Sequence, residues 1–144
     1  LNKRLLNSSL NIFRQALQDY FDNTWILTEI LFAGLQGEKQ FMVTPAHGLW
    51  HPLIFYYGHT AVFFVNKLYA TGIINKPVNA YLEALLEAGV DEMNWDDMGD
   101  DNMEWSSVNE VHAYRREVYK LVSEVIASAP EKMIDAIGMD SPYW

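Results

Sequence analysis

The sequence has 144 residues, enough for one ordinary domain and too few for two, so we expect a single domain over residues 1–144. Half of the residues are apolar and a fifth are charged, a composition that excludes an intrinsically disordered chain. Acidic residues outnumber basic ones by 19 to 10 and no Lys/Arg cluster offsets the net charge of −9, so we expect no nucleic-acid partner.

Apolar residues recur at helical spacing from Ser9 to about Leu35, which predicts a first long helix. Gly34 and Gly37 indicate where this helix ends. A loop is expected from there to about Trp50, because Pro and Gly punctuate this stretch.

The second predicted helix begins at Pro52, which suits the first helical position because its missing N–H has no partner there. Its apolar residues point in all directions, so we expect it in the middle of the packed structure, ending before Gly72 and Pro77. A short helix is predicted next over residues 78–88. Its apolar side is formed by Tyr81, Leu82, Leu85 and Leu86.

A third long helix is predicted to begin after Ser107 and to end at Pro130. Ser107 and Glu110 have the spacing of a capping box, in which two side chains satisfy two free N–H groups at a helix start. The predicted core stripe is Val111, Tyr114, Val118, Leu121, Val122 and Val125. The residues expected on the outer side are Arg115, Arg116, Glu117, Lys120 and Glu124.

The helix count predicts an all-α protein with three long helices, one fewer than a four-helix bundle contains. The chain begins without Met and stops at the apolar segment of residues 141–144. We therefore expect a piece of a longer protein that is truncated before its fourth long helix.

The chain contains no cysteine, which excludes disulfides, thiolate zinc sites and cysteine nucleophiles and leaves histidine as the soft metal ligand. This usage fits a cytoplasmic protein, and the N-terminus has no signal-peptide pattern. The apolar run of residues 52–70 carries Gly58, His59, Asn66 and Lys67, which are expensive in lipid, so we expect no membrane partner.

His59 lies halfway along the second predicted helix and is the first candidate for chemistry. A histidine there is either a core residue with both ring nitrogens satisfied or a metal ligand that points into the bundle. Gly58 removes a side chain next to it, which would allow another group to approach the backbone closely.

The three other histidines are weaker candidates. His47 and His51 are four residues apart, a spacing that pairs metal ligands on a helix, but Gly48 and Pro52 indicate that the two straddle a loop and a helix start. His112 lies near the start of the third long helix, where a solvated surface histidine is the simpler interpretation.

One acidic segment, residues 91–104, contains seven carboxylates and no Lys or Arg. The carboxylates belong to Asp91, Glu92, Asp96, Asp97, Asp100, Asp101 and Glu104. A calcium loop with Gly99 at position six would need a carboxylate at position twelve, where Trp105 stands, so the pattern fails. We expect these carboxylates to be solvated or to cap helices, with Trp95 and Trp105 against the bundle. Paired catalytic carboxylates stay open but have no supporting spacing, and no phosphate-binding loop or serine elbow is present.

Several longer strings resemble one family. They are YFDNTW (20–25), HPLIFYYGHTAVFF (51–64), NKL (66–68), GVDEMNWDD (89–97), Tyr114-Arg115 and Val118-Tyr119. Together they resemble the N-terminal DinB-like domain of the 5-histidylcysteine sulfoxide synthases of ovothiol biosynthesis, over nearly the whole chain. Trp50 departs from the family, in which an arginine is expected before the His51-Pro52 pair.

The resemblance implies a metal-binding DinB-like four-helix bundle in which His59 matches the iron-ligating histidine of the second helix. The family's other two ligands form a His-x-x-x-His pair on a fourth helix, which the sequence here does not contain. It also implies a following C-terminal catalytic domain of the same chain and, in many members, a methyltransferase domain.

By the same resemblance, the whole enzyme would use Fe(2+) and O2 to join the sulfur of L-cysteine to C5 of the L-histidine imidazole, with oxidation to the sulfoxide. This fragment alone would be inactive. Two alternatives stay open: a thiol-dependent transferase of the wider DinB superfamily with a divalent metal, and a non-enzymatic helical docking module in which His59 is a core residue.

Overall fold

The computed structural model describes residues 3–47, 50–87 and 104–128. These residues form helices joined by turns and contain no strand, which confirms the all-α prediction for the described part. The helices are α1 (Lys3–Ala33), α2 (Glu38–Phe41), α3 (Leu53–Ala70), α4 (Ala80–Glu87) and α5 (Val108–Ser128). The acidic segment up to residue 103 with its Trp95, the helix end expected at Pro130 and residues 141–144 lie outside the described residues.

The first helix begins earlier than the apolar periodicity predicts, at Lys3, and ends at Ala33, directly before Gly34. The segment up to Trp50 was predicted to be a loop, which is wrong for the single turn of α2. Gly37 precedes this turn with φ 87°, a conformation that glycine adopts without a steric penalty.

Packing explains why α2 forms without a periodic pattern. Phe41, at its end, is buried and lies with its ring centroid 6.0 Å from that of Phe32 and 5.5 Å from that of Tyr57. The turn is therefore stabilised by aromatic contacts with residues distant in the chain, which a local sequence pattern does not contain.

The two ends of α3 follow from Pro and Gly. Pro52 is the N-cap, so the helix begins one residue later than predicted. At the other end Gly72 has φ 72°, and the N–H of Ile73 donates to the carbonyl of Leu68 at 3.0 Å. This arrangement is a Schellman motif, in which a left-handed glycine allows the last carbonyls of a helix to find donors.

We expected α3 in the middle of the packed structure because its apolar residues point in all directions, but only one of its faces is buried among the described residues. Its buried face consists of Ile54, Phe55, Tyr57, Gly58, Ala61, Val62 and Val65. Leu53, Phe63 and Tyr69 on the other faces are exposed. In the described part of the chain α3 packs mainly against α4, with further contacts to α2.

Asn79 is the N-cap of α4, and its Oδ1 accepts hydrogen bonds from the backbone N–H groups of Tyr81 and Leu82, both at 3.1 Å. Leu82 and Leu86 are buried as predicted, whereas Tyr81 is 62% exposed. The short helix thus begins two residues later than predicted and turns a narrower apolar face inward.

The capping box at the start of α5 is confirmed. The backbone N–H of Ser107 donates to Oε2 of Glu110 at 2.9 Å, and the N–H of Glu110 donates to Oγ of Ser107 at 3.2 Å. The side-chain and backbone hydrogen bonds from Ser107 lower the pKa of Glu110. Of the predicted stripe, Val111, Tyr114, Val118 and Val122 are buried.

We expect Ser107→Ala to lower the free energy of unfolding by about 1 kcal/mol. The substitution removes Oγ, so the backbone N–H of Glu110 loses its acceptor and the capping box keeps only one of its two reciprocal hydrogen bonds. Ser106→Ala is the matched control, since no hydrogen bond of the Ser106 side chain occurs among the described residues. Urea unfolding followed by circular dichroism measures both. Equal losses in the two variants would contradict the capping role.

Two compact units make up the chain. The first combines residues Leu1–Leu31 and Lys120–Trp144; within it Phe21, Val122 and Ile126 are buried, and Nε2 of Gln18 donates to Oγ of Ser123 at 3.1 Å. The second is Phe32–Tyr119 and contains α2, α3, α4 and the candidate site.

Among the described helices, none has the length and apolarity needed to cross a membrane.

Candidate metal centre

The imidazole of His59 is half-buried on α3 and makes one hydrogen bond among the described residues. Its Nδ1 lies 2.7 Å from the carbonyl oxygen of Leu86 on α4. A carbonyl oxygen only accepts hydrogen bonds, so Nδ1 carries the hydrogen and, in the neutral ring, Nε2 keeps its lone pair. No bond to Nε2 occurs within the described part of the chain. One ring nitrogen is thus anchored while the other has no partner among the described residues, an arrangement that metal-ligating histidines share.

The position of Leu86 explains why its carbonyl is free to accept this bond. Leu86 lies in the last turn of α4, and the final four carbonyls of a helix have no partner within the helix. The carboxyl end of a helix also carries partial negative charge, which favours a cation nearby. Leu86 O thus sets the tautomer of His59, and the helix end to which it belongs favours a cation beside the ring.

Gly58 is what allows α4 to approach so closely. A Cβ built on Gly58 would overlap Cδ1 of Leu86 and lie 3.2 Å from Cγ1 of Val111 on α5. Leu86 and Val111 are both fully buried, so neither side chain can move out into solvent. The close approach that the sequence suggested at Gly58 is confirmed, and the groups that approach are these two side chains.

Aromatic rings line the same side of α3 as His59. The ring of Phe55, one turn earlier, is nearly parallel to the imidazole, with centroids 5.2 Å apart and an interplanar angle of 16°. Phe55 also contacts the ring of His51 at 4.4 Å and that of Trp105 at 5.9 Å. Trp105 is thus packed against other side chains, as the sequence suggested.

Arg115 was predicted on the outer side of the last helix, and this prediction is wrong. Its side chain is 1% exposed, and Nη1 donates to the carbonyl of Tyr57 and, at 2.7 Å, to Oγ1 of Thr60. The guanidinium carbon lies 4.3 Å from the centre of the Tyr57 ring, a cation–π geometry. Arg115 therefore fastens α5 to the turn of α3 that carries His59.

Glu83 is the second buried charged residue that sequence reasoning missed. Its Oε1 accepts hydrogen bonds from the backbone N–H groups of Val78 and Asn79, both at 2.9 Å, and from the hydroxyl of Tyr114 at 3.3 Å. Burial, together with the charge of Glu83, raises the pKa of Tyr114. The signal available in the sequence was an acidic residue in the first turn of a short helix, close to a capping Asn.

The pair of His47 and His51 does not share a helix, which confirms that it straddles a loop and a helix start. His47 is exposed beside Trp50, at 6.0 Å between ring centroids. His51 packs between Phe55 and Trp105. Burial lowers the pKa of His51, and its buried Nε2 has no hydrogen-bond partner among the described residues.

His112 is exposed, in agreement with the interpretation as a surface histidine. Its Nδ1 shares a hydrogen bond of 2.8 Å with the hydroxyl of Tyr57, and the two rings are nearly parallel. In the described ranges no three His, Asp or Glu side chains come together as a ready metal cluster. His59 is therefore brought together with backbone and aromatic groups, and the further ligands that the resemblance implies stay a prediction.

Comparison with known proteins adds no assignment, since neither a family model nor a curated protein matches this chain.

Proposed function

We propose that this chain is the N-terminal DinB-like part of a non-haem iron(II), O2-dependent sulfoxide synthase, and that His59 is one of its iron ligands. The proposed reaction joins the sulfur of L-cysteine to C5 of the L-histidine imidazole and forms the sulfoxide. The observation that carries the proposal is the hydrogen bond from Nδ1 of His59 to the carbonyl of Leu86, which leaves Nε2 as a lone-pair donor.

The chemistry of the donor fits this metal. Imidazole nitrogen is a ligand that iron shares with zinc, copper and nickel, and iron held by neutral imidazoles retains open positions for a thiolate and O2. The carbonyl of Leu86 orients the imidazole of His59, as the outer partners of ligating histidines commonly do. The His-x-x-x-His pair of the resembling family would supply the other two ligands.

In this proposal, the residues around His59 restrain the position of this one candidate ligand. Gly58 allows Leu86 to come within hydrogen-bond reach, and Arg115 fastens the neighbouring carbonyl of Tyr57 and hydroxyl of Thr60 to α5. Because the backbone on both sides of His59 is restrained, little conformational freedom remains to be lost when a ligand binds.

We expect His59→Ala, in the protein expressed with the whole chain that its gene encodes, to lower iron content at least about tenfold with unchanged helical content. The physical reason is the loss of the Nε2 lone pair that the hydrogen bond from Nδ1 to the carbonyl of Leu86 leaves available. Iron per chain measured by plasma mass spectrometry, together with circular dichroism, gives the result.

His112→Ala is the matched control, because His112 also binds through Nδ1 but lies exposed and belongs to no proposed centre. Wild-type iron content in His59→Ala would contradict the ligand assignment. A separate assay supplies the iron-loaded protein with cysteine, histidine and air and searches for the sulfoxide by mass spectrometry. Its absence would contradict the reaction while leaving the metal site intact.

A further inference from the structure

The hydrogen bond to Leu86 alone does not fix the direction of Nε2. It holds Nδ1 of His59 at 2.7 Å from one oxygen, but the imidazole plane can still rotate about this contact. A second restraint on the plane of the ring is needed before Nε2 points in one direction. The described residues contain one group placed to provide it.

This group is the ring of Phe55. It stands four residues before His59 on the same helix, a spacing that places two side chains one above the other. The two rings are 16° from parallel with centroids 5.2 Å apart, the offset arrangement that stacked aromatic rings prefer. Rotation of the imidazole out of its plane would drive it into the face of Phe55.

Phe55 can act in this way because it cannot move itself. It is 2% exposed, and the rings of His51, Tyr56 and Trp105 lie at 4.4, 5.2 and 5.9 Å from it. These contacts confine Phe55 in its position against the imidazole of His59. The restraint is thus transmitted from a packed aromatic cluster to the ring of the candidate ligand.

We propose that Phe55 is a positioning residue for the candidate ligand, whose stacked ring, together with the carbonyl of Leu86, directs Nε2 of His59 toward the metal. This inference rests on the proposed function for the metal. The orientation of the ring is a property of the metal-free protein, so it can be tested by itself.

The test compares Phe55→Leu with Phe41→Leu. Both replace a buried Phe of the same unit, but Phe41 packs on Phe32 and Tyr57 and has no ring contact with His59. Nitrogen NMR of histidine-labelled protein reports the tautomer of His59, and titration with Co²⁺ of the protein with its whole encoded chain reports affinity.

Without the stacked ring, we expect the imidazole of His59 in Phe55→Leu to tilt away from the Leu86 carbonyl part of the time. The single Nδ1–H tautomer should then become a mixture, and the Kd for Co²⁺ should rise about tenfold. Phe41→Leu is expected to lower the melting temperature by a similar amount and to leave both readouts at wild-type values. Phe55→Met, which fills a similar volume without a flat face, repeats the comparison if the leucine variant does not fold.

An unchanged tautomer and affinity in the Phe55 variants would overturn the inference, and so would equal changes in Phe41→Leu, which would indicate general loosening. Wild-type Co²⁺ affinity in His59→Ala would instead contradict the proposed function. In that case the tautomer comparison still decides whether Phe55 orients the ring.

Discussion

Arg115→Ala is expected to lower the free energy of unfolding by about 3–5 kcal/mol. The variant removes a guanidinium that is 1% exposed and that donates to both the Tyr57 carbonyl and the Thr60 hydroxyl. Hydrogen bonds from a charged group contribute about 1.5–3 kcal/mol each, and the deleted side chain leaves a cavity between α3 and α5.

The neighbouring arginine is a matched control. Arg116 is exposed, so Arg116→Ala removes the same side chain and charge at a change of at most about 0.5 kcal/mol. Arg115→Lys keeps the charge without the planar fork, and we expect an intermediate loss because one ammonium does not reproduce the guanidinium geometry. Urea unfolding followed by circular dichroism measures all three. Equal midpoints for the two alanine variants would show that Arg115 contributes nothing through its buried contacts.

Gly58→Ala is expected to destabilise the protein by about 2 kcal/mol, although alanine is the better helix former by about 1 kcal/mol. The added Cβ overlaps Cδ1 of Leu86 and comes within 3.2 Å of Cγ1 of Val111. Since Leu86 and Val111 are fully buried, either the Leu86 side chain has to leave its rotamer or α4 has to move away from α3, and we expect this strain to exceed the gain in helix propensity. The unfolding midpoint in urea measures the net effect.

A double-mutant cycle identifies the cause of this loss. Leu86→Ala alone leaves a cavity and is expected to lower stability by about 2–5 kcal/mol. In the double variant the new methyl group at residue 58 occupies part of this cavity, so the combined loss should be smaller than the sum by at least about 1 kcal/mol. If the losses of stability in the two single variants simply add in the double variant, Gly58 and Leu86 do not restrict one another. Such a result would contradict the explanation that Gly58 allows the close approach of α4.

The same substitution connects packing with the candidate site. The carbonyl that accepts from Nδ1 of His59 belongs to Leu86, the residue that an alanine at position 58 would displace. The sequence suggested only that something approaches the backbone at Gly58. It did not indicate that the approaching residue also holds the histidine, because 27 residues separate the two hydrogen-bonded groups along the chain.

Sequence alone determined the longer helices of the described residues and several of their ends, because these depend on residues within one turn of each other. The Ser107 and Glu110 box, the left-handed Gly72 and the position of Pro52 were each readable from local chemistry, to within a residue. The position of His59 halfway along an apolar helix was likewise readable locally, whereas its role as a ligand stays a prediction that the family resemblance implies.

Tertiary structure alone decided which polar side chains are buried and which group forms a hydrogen bond with the imidazole of His59. Arg115 stands next to the buried stripe of α5, where helical periodicity does not distinguish an inward from an outward side chain; the Tyr57 carbonyl and Thr60 hydroxyl on α3 make the inward position favourable. Glu83, the turn of α2 and the Leu86 carbonyl beside His59 were missed for the same reason. A buried polar group is stable only where partners from other elements satisfy it, and no local pattern contains those partners.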